Sequence, residues 1–199
     1  MTLTVDPIQA KQSRNVQPTS SRKDVAKYEF IEGNLLAKPP ADRWHNLITT
    51  NIVVAIGSRI HRGSCDVYTG MRVQIGRNSL CFPDVVVVSG EASFTDGGTV
   101  LLNPTVMVEI FSSISKSASH TQKLEGFLAV PDIKEFLLVN ESEMRVEHYS
   151  RQNAKTWMYR IYDERDDMIN LESINCKLAL AEVYGQIKLG MELSSKAAH

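Results

Sequence analysis

Two apolar runs of strand length, each carrying a single carboxylate, constrain this chain more than any other feature. The first is Phe82-Pro83-Asp84-Val85-Val86-Val87-Val88, and the second is Val106-Met107-Val108-Glu109-Ile110. Runs this short, apolar and β-branched read as buried strands. Asp84 opens the first strand and Glu109 sits inside the second, so both acids enter surroundings where an unneutralised charge costs several kcal/mol. Two arrangements remove that cost. The carboxylates can share a divalent cation, because Mg²⁺ takes one or two carboxylates and completes its shell with water and substrate phosphate. Alternatively, Asp84 caps the turn after Pro83 and Glu109 pairs with a basic neighbour. The residues alone leave both open.

The totals set the scale. A chain of 199 residues with 43% hydrophobic and 23% charged residues suits one globular domain with a tail. We expect a single domain over residues 25–190, a disordered polar arm over 1–24 and a frayed tail over 191–199. A net charge of −1 carries no basic surplus of the kind that announces nucleic-acid binding, though a local basic face remains open. Cys65, Cys81 and Cys176 are an odd count without a CxxC pair, so neither a disulfide framework nor a zinc site is indicated. No apolar run approaches a membrane span, and the N-terminus lacks the layout of a signal peptide. A cytoplasmic protein without a membrane partner is expected.

Along the chain, Tyr28 to Ala37 reads as a hairpin about Gly33-Asn34, ended by Pro39-Pro40. Asp42 is placed to cap a helix through Trp44, Leu47, Ile48, Ile52, Ile56 and Ile60, with Gly63 as its stop and His45 at the edge of its buried face. Cys65–Thr69 and Met71–Ile75 alternate as strands with a bend at Gly70. The Pro83-Asp84 strand follows as the antiparallel partner of its predecessor, and 89–104 reads as a loop. A hydroxyl-rich stretch over Ser112–Thr121 leads into a helix carrying Lys123 and Phe127, which Pro131 closes. Strands are expected at Glu135–Val139, Met144–Tyr149, Trp157–Tyr162 and Met168–Leu171, then an amphipathic helix reaching Ile187. The fold class is α/β (α+β), a mixed β-sheet flanked by helices with an N-terminal β-hairpin.

Lys123 lies fourteen residues beyond Glu109, the length of a loop and a helical turn that can return an ammonium to the same cleft. Two carboxylates with a metal, and a lysine nearby, are the parts of metal-assisted phosphodiester hydrolysis. Pro83-Asp84 followed by Glu109-Ile110-Phe111 resembles the PD-(D/E)XK motif of restriction-endonuclease-like nucleases. The order of further matches resembles the Uma family of that superfamily: Tyr28–Leu36, Pro39-Pro40 with His45, Pro83–Val88, Asn103–Ile110, Lys123 with Phe127 and Pro131, Glu135–Val139, Arg145–Tyr149 and Leu180–Tyr184.

The resemblance implies a restriction-endonuclease-like fold and a metal-dependent endonuclease acting on DNA. Asp84 and Glu109 would be the Mg²⁺ (or Mn²⁺) ligands. Lys123 would be the catalytic lysine, moved to the following helix because Phe111 fills the usual position. His45 and Glu29 are further candidates at the cleft. A homodimer is expected as well, since edge strands invite pairing and nucleases of this fold commonly dimerise. The chain departs from the family pattern at Asn34, Gly70, Ser113 and Ser119, each of which removes a charge or turn former near the cleft. These departures sustain an alternative, a catalytically degenerate member of the fold acting as a nucleic-acid-binding or assembly module.

Overall fold

The computed structural model describes residues 27–31, 34–38, 40–61, 63–76, 79–111 and 118–189, the side chains of 118–122 excepted. The expected arm and tail, Gly33, Pro39, the serine-rich 112–117 stretch with Ser113, and the side chain of Ser119 lie outside the described residues.

β1 (Lys27–Ile31) and β2 (Asn34–Lys38) pair antiparallel, with Ile31 opposite Asn34 and Lys27 opposite Lys38. α1 (Arg43–Gly57) follows, and the Asp42 carboxylate accepts from the amides of Trp44 at 2.8 Å and His45 at 2.9 Å. That cap satisfies two of the helix's orphan donors. Ile48, Ile52, Ala55 and Ile56 form its buried stripe. The helix stops at Gly57, short of the expected Gly63: the Arg59 amide turns to the Ile56 carbonyl, and Ser58 Oγ and Arg59 Nη1 satisfy the Ala55 carbonyl left free. Ile60 packs on the core from outside the helix.

The next strands are β3 (Cys65–Thr69), β4 (Arg72–Gln74), β5 (Leu80–Cys81) and β6 (Val85–Ser89). The stretch expected to be a loop contributes β7 (Phe94–Thr95) and β8 (Val100–Leu101) before β9 (Val106–Phe111). α2 (Ala118–Ala129), β10 (Glu135–Asn140), β11 (Val146–Arg151) and β12 (Trp157–Tyr162) come next. The described chain closes with β13 (Met168–Leu171), β14 (Cys176–Ala179) and α3 (Leu180–Val183). β14 had no counterpart in the sequence reading. α3 is a single turn, so Ile187 lies beyond it instead of on its apolar face.

Two six-stranded sheets carry the architecture, in the orders β2-β1-β5-β4-β8-β7 and β12-β11-β10-β9-β6-β3, with β13 and β14 as a separate hairpin. The second is mixed: β9 and β10 run parallel, joined by the crossover through α2, and its other neighbours are antiparallel. The expected antiparallel hairpin between the bent Cys65–Ile75 run and the Pro83-Asp84 strand forms in one register, with Val73 opposite Cys81 and Thr69 opposite Val85, but it is shared between the two sheets. β4 pairs with the short β5, and the chain then turns through Phe82-Pro83-Asp84 into the other sheet, where β6 pairs with β3 and gains β9 as its second neighbour. Pro83 lacks an amide hydrogen and cannot continue a ladder, so the strand breaks there and changes sheet.

Alternation along β6 and β9 divides the core into two clusters. Val85, Val87, Val106, Val108 and Ile110 pack toward α1, whereas Val86, Val88, Met107 and Phe111 pack with Phe127 of α2. By the same period of two, Asp84 and Glu109 fall on the α2 face. The three cysteines are free thiols, with Cys81 and Cys176 buried. Among the described residues no helix is long and apolar enough to cross a membrane.

Glu135 shows how the far end of the sheet handles a buried acid. It is 2% exposed, lies 3.1 Å from His148 Nε2, and accepts from the amides of Glu172 at 3.2 Å and Ser173 at 3.1 Å and from the Ser173 hydroxyl. This ties β10 to β11 and to the turn before β14. Glu135→Ala strands those donors and is expected to cost about 3–5 kcal/mol. Glu135→Gln should recover part of the loss, measured by urea unfolding.

Candidate active site

The corner at Phe82-Pro83-Asp84 is where charged side chains gather. Asp84 is held by its own strand and by the next. Its amide donates to the Val108 carbonyl at 3.0 Å, and its Oδ2 accepts from the Ile110 amide at 2.8 Å. The ladder pairs Val85 with Val108, so Asp84 is opposite Glu109 in register. The two acids are 9% and 5% exposed.

Two ammonium groups divide Glu109 between them. Lys123 Nζ, from α2, lies 3.0 Å from Glu109 Oε1 and 2.7 Å from Glu29 Oε2. Lys38 Nζ, at the end of β2, lies 3.4 Å from Glu109 Oε2 and 2.8 Å from Asp84 Oδ1, and donates to the Phe82 carbonyl. Glu29 also accepts from the Phe82 amide at 2.9 Å, so β1 anchors both Lys123 and the corner. His45, in the first turn of α1, places Nε2 3.0 Å from Asp84 Oδ1 and Nδ1 3.6 Å from Glu141 Oε2. Asp84, Glu109, Lys123, His45 and Glu29 thus converge, although they come from five separate elements of chain.

The two basic neighbours of Glu109 realise one of the arrangements open at the level of sequence. They do not exhaust the chemistry, because Asp84 Oδ1 and Glu109 Oε2 point at one shared cationic position. Among the described residues no group of three or more His, Cys, Asp and Glu side chains is disposed to hold a metal ion. Asp84 and Glu109 are the carboxylates that could hold a hard ion, and such an ion would have to complete its shell with water.

Lys38 and Glu141 were not singled out in the sequence. For Lys38 a signal existed: hairpin alternation sets it on the same face of β1–β2 as Glu29. Glu141 follows β10 in a polar turn and reaches His45 only through the tertiary fold. Of the departures from the family pattern, Asn34 opens β2 as an exposed residue, and Gly70 adopts φ +60, a left-handed conformation that favours glycine at that bend.

The environment drives the two acids apart. Burial raises Asp84, yet the hydrogen bond from His45 and the charge of Lys38 overcome it and hold the carboxyl at about 2. Burial raises Glu109 above its ordinary value, assisted by Asp84 and Glu29 and opposed by Lys123 and Lys38. Burial pulls both lysines down, but the carboxylates around each raise it above its ordinary value. His45 is likewise depressed by burial and then raised, net, by Asp84.

These directions fix the pH dependence of stability. Asp84 titrates lower in the fold than its ordinary 3.8, so its stabilisation is complete above that pH and fades as pH falls toward about 2. His45 titrates above its ordinary 6.5, so its stabilisation is complete below that pH and fades as pH rises through the raised value. Thermal unfolding across pH should show both slopes. Asp84→Asn should flatten the acidic one, and His45→Gln the one above pH 6.5.

Comparison with known proteins shows what this chain is similar to. The model of the Uma2 family, described as "Putative restriction endonuclease", matches residues 17–181. Two uncharacterized proteins of Synechocystis sp. (strain ATCC 27184 / PCC 6803 / Kazusa) are similar. One is 29% identical over 135 residues, covering 66% of this chain and 76% of its own. The other is 21% identical over 161 residues, covering 79% and 83%. Among solved structures, a "putative nuclease belonging to DUF820" from Anabaena variabilis ATCC 29413 has the same fold, with a TM-score of 0.65 at 21% identity over 79% of this chain and 89% of that one. Because the family model spans most of the chain, from ahead of the opening hairpin to α3, the protein belongs to the Uma2 family of restriction-endonuclease-like proteins.

Proposed function

We propose that this protein is a divalent-metal-dependent endonuclease that hydrolyses DNA phosphodiester bonds at the corner between its two sheets. Membership of the Uma2 family supports a nuclease-type function. One observation carries the finer reading: Asp84 Oδ1 and Glu109 Oε2 meet at one cationic position, while Lys123 sits 3.0 Å from the other oxygen of Glu109. Asp84 and Glu109 would hold Mg²⁺ or Mn²⁺. Bound there, the ion would polarise the scissile phosphate and lower the pKa of a water molecule. The chain's own groups supply the rest. Lys123, steadied by Glu29, offers positive charge to the phosphate oxygens that become more negative during attack. The Ile110 amide and His45 fix the orientation of Asp84. Glu29 holds the Phe82 amide and thereby the corner itself.

The alternative, a fold member that binds nucleic acid or assembles without cleaving it, draws on a different observation: Lys38 already bridges both carboxylates within the chain. Nicking of supercoiled plasmid separates the two readings. With Mg²⁺ or Mn²⁺ the wild type should nick. Asp84→Ala and Lys123→Ala should each reduce the rate by about 100-fold or more, in the range of losing one electrostatic partner of a transition state. Intact supercoiled, linear and single-stranded DNA after incubation with either ion would remove the nuclease reading and leave the alternative.

We further propose a homodimer. β12 has a neighbour on one side only among the described strands, with Tyr159 and Ile161 exposed on it. Light scattering should report the mass of two chains, and the mass of one would overturn this.

A further inference from the structure

Lys38 occupies a position unlike that of the other lysine in the site. Lys123 rests on Glu109 Oε1 and has a second carboxylate, Glu29, at 2.7 Å. Lys38 instead bridges the two acids, through Asp84 Oδ1 and Glu109 Oε2, and completes its contacts with the Phe82 carbonyl. The remaining oxygen of Asp84 is engaged by the Ile110 amide. Asp84 Oδ1 is shared between Lys38 and His45 Nε2, which lies 3.0 Å away, and the other oxygens are partitioned one group to each. A cation bound jointly by the two acids would use the pair that Lys38 holds, and would leave the contacts of Lys123 and of the Ile110 amide in place.

We propose that Lys38 is a tethered cation filling the divalent-ion position of the Asp84–Glu109 pair, so that Lys38 and the ion exclude each other. This rests on the reading above that the pair binds a divalent ion. Exclusion follows from charge, since two cations competing for the same two carboxylate oxygens repel at contact distance in a poorly solvated site. The geometry also provides an exit. Lys38 ends β2, an outer strand that among the described strands pairs with β1 alone. Its side chain borders a cavity of about 940 Å³ that is also lined by His45, Thr49, Phe82 and Asp84 and gives the displaced ammonium solvated space. In the absence of the ion, Lys38 keeps two buried carboxylates from facing each other unneutralised. Once displaced into that cavity, it lies beside the site as a positive charge available to a phosphate, so ion binding and anion binding would be linked.

Two measurements test this on the full-length protein. The first is calorimetric titration with Mn²⁺ of wild type, Lys38→Met and Lys38→Arg. Lys38→Met should bind at least tenfold more tightly than wild type, and Lys38→Arg no more tightly, with Glu109→Gln abolishing binding. Equal or weaker binding by Lys38→Met overturns the role of Lys38 while leaving the ion site standing. Absence of binding in every variant overturns both.

The second uses only the wild type and so does not depend on a variant folding. Reductive methylation read by mass spectrometry should modify Lys38 several-fold faster with saturating Mn²⁺ than without it, while Lys123 stays protected. An unchanged or slower rate at Lys38 overturns the proposal.

Discussion

Burying three carboxylates at one corner of a protein is affordable only if cations come with them, and that electrostatic balance organises this molecule. Glu29, Asp84 and Glu109 are each less than a tenth exposed, and the ammonium groups of Lys38 and Lys123 lie between them. Charges removed from water are tolerated only where partner charges and hydrogen bonds are well placed. Here the partners come from β1, β2, α1, α2 and the two central strands. The corner can be populated only when both sheets and both long helices have docked, so the fold and the charge cluster depend on one another.

The position of the cluster follows from a break in the chain. Pro83 ends one ladder and the strand re-forms in the other sheet, so Asp84 sits at a point where backbone groups are not all committed to neighbours. The Asp84 carboxylate takes the Ile110 amide, and the Phe82 amide and carbonyl go to Glu29 and Lys38. Backbone polar groups freed by the change of sheet are satisfied by the same side chains that make up the site. A structural requirement and a chemical arrangement thus share one set of atoms. Glu135 marks the contrast: it is equally buried, but its partners are amides, a hydroxyl and an imidazole of the surrounding turns, which makes it a tie between elements.

Much of this was legible in the chain before folding. The valine run of β6, the acidic strand β9, the Asp42 cap and the helix bearing Lys123 are local patterns, set by side-chain period and capping chemistry, and they appear close to where the pattern puts them. Errors fell where partner choice decides. The hairpin of Cys65–Ile75 with the Pro83-Asp84 strand forms as expected, but nothing in Phe82–Val88 tells that it will be divided between two sheets. β7, β8 and β14 are two to four residues long and owe their strand geometry to a neighbour more than to their own composition. Glu141 lies in a polar turn like many others and gains a partner only because β10 ends beside α1.

The sequence by itself therefore determined the longer elements, the family resemblance and the identity of the five side chains first suspected. Alternation, helical spacing and ordered motifs are properties of consecutive residues. Tertiary structure alone decided what stands between Asp84 and Glu109. Lys38 is separated from those acids by 46 and 71 positions along the chain. Its closeness to them results from β1 and β2 docking beside a corner that Pro83 creates, and it makes the two acidic strands a pair that already holds a cation.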